Sequence, residues 1–115
     1  MIRHGQDEGR RTSPCWEGDA QVQTLRVQLA DGNSWLIPYS RIAFVKSECG
    51  TDHNTLRLLS DTHEIRVVGR NLRQLERALQ KFGVGWMKAA PSRYEPEAGD
   101  NLVWITDITV NELEG

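Results

Sequence analysis

Leu72, Leu75, Leu79 and Phe82 recur at three- and four-residue steps in the one segment whose apolar spacing, start signal and stop signal all agree on a helix. A helix returns to the same side about every 3.6 residues, so these four mark one apolar stripe, expected to be core. Asn71 suits the N-cap and Gly83 suits the position just past the last turn. The spacing predicts one amphipathic helix over about residues 71–82, with Arg73, Arg77 and Lys81 in line on its other side and Arg70 at its start.

The remaining apolar residues mostly alternate, which is the pattern of half-buried strands. Leu25, Val27 and Leu29 form one such set and Trp35, Ile37 and Tyr39 the next. Parity selects the turn between them. A two-residue Asp31-Gly32 loop would set Val27 against Leu36 and Arg26 against Ile37. A three-residue loop Ala30-Asp31-Gly32 instead faces Val27 with Trp35 and Leu25 with Ile37, with Gly32 at the left-handed position of a bulged turn. Pro38 cannot donate to a ladder, so this strand is an edge there or bends after it.

Residues 42–46 are apolar at nearly every position and are expected to be covered on both faces. Residues 49–54 read as a turn, and residues 56–59 and 63–68 as two more strands. Residues 84–89 read as a strand, and residues 102–110 are strongly β-prone, with Trp104 and Ile108 on one side and Ile105 and Asp107 on the other. An apolar strand of this kind must be paired, within the chain or with a second copy. The expected fold is therefore α+β: an antiparallel β-meander of four to five strands packed by one amphipathic helix and followed by one or two C-terminal strands. A partly open small barrel is the expected detailed form, with an open sheet as its alternative. Residues 1–19, rich in Gly, Arg, Ser and acids, are expected to be a flexible arm, and residues 20–115 a single small domain.

A hydrophobic fraction of 38% with four Trp is enough for a core, and no apolar run approaches the length of a membrane span. No secretory pattern follows Met1, and Cys15 and Cys49 are too few for a disulfide framework, so a cytoplasmic, reduced protein is expected. The net charge of −2 conceals a split: residues 56–93 hold eight Lys and Arg against three acids, whereas residues 94–115 hold six acids and no Lys or Arg.

Motifs for chemistry are sparse. Cys49 and His53 lie close in sequence, but no second pair completes four zinc ligands, and no nucleophile motif surrounds Ser47 or Ser60. Gly83-Val84-Gly85 follows a helix, whereas a phosphate cradle precedes one. No catalytic residue, metal site or cofactor is expected. What remains is a non-enzymatic interaction domain, self-associating as a homodimer or binding another protein through the C-terminal strand or a sheet edge. Arg70, Arg73, Arg77, Lys81, Trp104 and Ile108 are the candidate contact residues. The alternative is nucleic acid bound along the basic helix face. No membrane partner is expected.

Overall fold

The computed structural model describes residues 13–91, 93 and 102–113. Strand β1 is Trp16–Gly18, β2 Thr24–Gln28, β3 Ser34–Pro38, β4 Phe44–Cys49, β5 Asn54–Leu59 and β6 His63–Arg70. Helix α1 is Arg73–Gln80, β7 is Val84–Lys88 and β8 is Trp104–Glu112. Among the described residues they form an α+β fold with one α-helix and two four-stranded sheets, ordered β1-β7-β2-β3 and β4-β5-β6-β8. The expected single meander is thus divided between two sheets, and neither closes into a barrel. All pairings are antiparallel except that of β2 with β7, which the sequence pattern did not foretell. Among the described residues, no helix is long and apolar enough to cross a membrane.

The first hairpin has the register that parity selected: Val27 faces Trp35, Leu25 faces Ile37, and Gly32 is left-handed with φ 93°. Asp31 helps to close the turn by accepting from the Asn33 N–H at 2.9 Å. Pro38 ends β3, and a 3-10 turn over Tyr39–Arg41 carries the chain to the other sheet. The Tyr39 hydroxyl donates to the Val84 carbonyl at 2.6 Å and accepts the Val84 N–H at 2.9 Å, so this crossing is clamped to β7.

The core lies between the sheets and under α1. Leu25, Val27 and Met87 line it from the first sheet; Leu56, Leu58, Val67 and Ile105 line it from the second; Leu72, Leu75 and Leu79 close it from the helix. Both helix ends differ from expectation. Asn71 is not the N-cap: it takes φ 58° and donates its side-chain amide to the Leu102 carbonyl at 2.9 Å, while Leu72 occupies the cap position. At the other end Phe82, not Gly83, takes the left-handed conformation, with φ 56°. The Gly83 N–H then reaches the Ala78 carbonyl and the Phe82 N–H the Leu79 carbonyl, the two bonds of a Schellman ending. Phe82 consequently leaves the apolar stripe and is exposed.

Two further expectations are corrected. Residues 13–19 belong to the fold: β1 pairs with β7, and Cys15 is fully buried. Residues 1–12 lie outside the described residues. In β8 the simple alternation breaks at a bulge, where Val68 faces Asp107 but Gly69 faces Ile105. The Thr106 hydroxyl donates to the Val68 carbonyl at 3.0 Å, and the shifted parity buries Trp104, Ile105 and Ile108 together. Gly69 is required at this point, because a Cβ there would fall 2.0 Å from the Trp104 carbonyl oxygen.

Candidate interaction surface

Each sheet has two outer strands, and three of the four carry a device that discourages further pairing. Strand β1 is only three residues long and irregular in register. Strand β3 ends in Pro38. The outer side of β8 is occupied at its start: the Ile105 N–H donates to Cys15 Sγ at 3.2 Å, the Ala90 N–H donates to the Ile105 carbonyl at 2.9 Å, and the Ser13 hydroxyl donates to the Val103 carbonyl at 2.7 Å. Burial pushes the Cys15 thiol pKa up, against hydrogen bonds that pull it down.

Strand β4 has none of these covers. It is six residues long, contains neither Pro nor a bulge, and among the described residues pairs only with β5. Every second residue of an outer strand directs its N–H and C=O away from the sheet, so β4 presents an open ladder. Phe44 is 70% exposed and Val45 41% exposed. This corrects the expectation that residues 42–46 are covered on both faces.

The apolar surface continues beyond the strand. Phe44, Val45, Ile42, Tyr39 and Phe82 share a groove of about 290 Å³ between the start of β4 and the end of α1. The Phe82 ring lies 5.3 Å from that of Tyr39, although its left-handed backbone costs about 1–2 kcal/mol for a residue with a Cβ. A second cleft of about 160 Å³ opens on the other side of Ile42, with Trp35, Ile37 and Ile65 among its walls and Arg41 and His63 beside them. It is smaller than the roughly 300–1,000 Å³ of most small-molecule sites and suits a single side chain.

On the outer face of the same strand, charges alternate across the sheet. Glu64 accepts from Arg57 Nη1 at 3.0 Å, Arg57 Nε donates to Glu48 at 3.0 Å, and Lys46 Nζ lies 3.4 Å from Glu48. The Arg57 hydrogen bond holds the Glu48 carboxyl below its usual pKa, and the bonds to Glu48 and Glu64 hold Arg57 above its own. Lys46 ends this row at the open edge, 65% exposed.

The residues singled out from sequence are dispersed. Trp104 and Ile108 are core residues, enclosed by their own chain rather than facing a partner. Arg70 is half-buried at the end of β6, opposite Trp104. Arg73, Arg77 and Lys81 are exposed, and no carboxylate among the described residues pairs with them. Asp107 and Glu112 lie on β8, opposite Val68 and His63, and the other acids of the C-terminal segment, Glu95, Glu97, Asp100 and Glu114, lie outside the described residues. Sequence reasoning passed over Phe44, Val45, Lys46 and Glu48. The signal available was the Lys-x-Glu alternation directly after an apolar pair, which no doubly buried strand tolerates. Comparison with family models, with curated proteins and with solved structures finds no match for this chain.

Proposed function

We propose that the protein is a non-enzymatic interaction domain that self-associates through the open edge of β4. The observation that carries this reading is the contrast among the outer strands: among the described residues, β4 combines exposed Phe44 and Val45 with a ladder that no Pro, bulge or other segment interrupts, whereas β3, which exposes Trp35 and Leu36, lacks a donor at Pro38. Sedimentation velocity from low-micromolar to near-millimolar concentration tests it. The native chain gives a concentration-dependent dimer. Phe44→Glu, at a side chain 70% exposed in the monomer, shifts the protein to monomer with an unchanged circular dichroism spectrum. A native chain that stays monomeric at the highest concentration overturns the reading.

A second reading is favoured by the basic line on α1, where Arg73, Arg77 and Lys81 stand exposed four residues apart with no described carboxylate partner. Three like charges at that spacing repel by a few tenths of a kcal/mol per neighbouring pair, and phosphate would relieve them. This reading predicts binding to mixed-sequence oligonucleotides that falls steeply with salt and with Arg73→Glu combined with Arg77→Glu. Absence of binding at low salt removes it.

A further inference from the structure

Resting on the self-association reading, the sequence of β4 also fixes how two copies would meet. Two antiparallel copies of one edge strand, related by a two-fold axis perpendicular to the sheet, set residues of the same face opposite each other. The axis must therefore pass through a residue, and β4 offers few choices. An axis at Lys46 puts lysine against lysine, and one at Glu48 puts carboxylate against carboxylate. An axis at Val45 leaves most of the strand unpaired. With the axis at Ser47, Lys46 faces the partner's Glu48, Glu48 faces the partner's Lys46, and Val45 faces the partner's Cys49.

We infer that a second copy of this chain docks on β4 antiparallel, with the two Ser47 residues facing each other on the two-fold axis. Three independent features of the surface fit this register. The row Glu64, Arg57, Glu48 continues into the partner's Lys46, so the alternation of charge runs unbroken through the axis into the second sheet. Phe44, 70% exposed in one copy, falls opposite the partner's Gly50, which has no side chain and cannot acquire one, because a Cβ would lie 2.3 Å from the His53 carbonyl oxygen. An aromatic ring laid over a glycine across a ladder covers main chain that is otherwise bare. The partner's turn over residues 50–53 then arrives beside the groove between Phe44 and Phe82. Strand β8 fits a second copy less well, since it carries Asp107 and Glu112 and no base to answer them.

The test is a charge exchange between two chains. In Lys46→Glu homodimers two glutamates meet across the ladder, and in Glu48→Lys homodimers two lysines meet, so each variant alone associates at least tenfold more weakly than the native chain. Mixed in equal amounts, the two restore both opposite-charge pairs, and a heterodimer near native affinity forms. In a Cys49→Ser background, Ser47→Cys gives a disulfide-linked dimer on mild oxidation. Lys46→Cys does not, because its counterpart lies diagonally across the ladder, about 7–8 Å away. If the native chain dimerises but the mixture does not recover and cross-linking occurs elsewhere, this register is overturned while self-association stands. A strictly monomeric native chain overturns both.

Discussion

The two outer strands of the second sheet, β4 and β8, both carry large apolar residues and are both long enough to recruit a neighbour, yet they end in opposite situations. Strand β8 turns its apolar residues inward, its bulge brings Trp104, Ile105 and Ile108 into the core, and Cys15 and Ala90 bind the outward main-chain groups of Ile105. Strand β4 leaves Phe44 and Val45 in water and its ladder open. Apolar residues alone therefore do not distinguish a strand folded into the core from one left exposed at an edge. What distinguishes them is whether another segment of the chain reaches the strand's outer side.

Core substitution is the strongest way to break the contrast. Ile105→Ala should lower stability by about 2–5 kcal/mol, as truncation of a buried branched residue does, whereas Phe44→Ala should change monomer stability by less than about 0.5 kcal/mol. Urea titration at low protein concentration measures both, and equal losses would erase the distinction between the strands. Cys15→Ala comes next. It leaves the buried Ile105 N–H without its acceptor, at about 1–3 kcal/mol. The same placement predicts that a thiol reagent labels Cys49 in the native protein and Cys15 only on unfolding.

The smallest effect is on pH dependence. Because Arg57 holds the Glu48 carboxyl below its usual value, the favourable contribution of this pair is complete above the ordinary glutamate range and is lost as pH falls through the lowered value. Carboxyl chemical shifts followed by NMR should place the Glu48 midpoint lower than that of an exposed glutamate, and Arg57→Gln should return it to the ordinary position. An unshifted midpoint in the native protein would dissolve the charge row.

What was legible in the sequence follows the reach of each interaction. The first hairpin was readable to the residue, because a turn of three and a parity of two leave a single register with Gly32 left-handed. The helix was readable because its spacing repeats locally, although Phe82 left the stripe once the left-handed turn fell one residue before Gly83. Strand β4 was misread because a short run of apolar residues looks the same when doubly buried and when exposed at an edge. The burial of Cys15 had no local signal at all, since its partner is Ile105, ninety positions away in the sequence.

That separation bears on the order in which the molecule can be completed. Cys15 is among the first residues of the fold to be synthesised, but its Ile105 partner is made only after both hairpins, the helix and β7. Contacts of such long separation close late, because the loop between them loses more entropy than a local turn does. Trp16–Gly18 can pair once β7 is made, whereas Ser13 and Cys15 reach Val103 and Ile105 only when β8 is in place. Until β8 emerges, β6 is an outer strand as well as β4, so among the described residues the second sheet has two unpaired ladders, β4 and β6, before β8 pairs with β6.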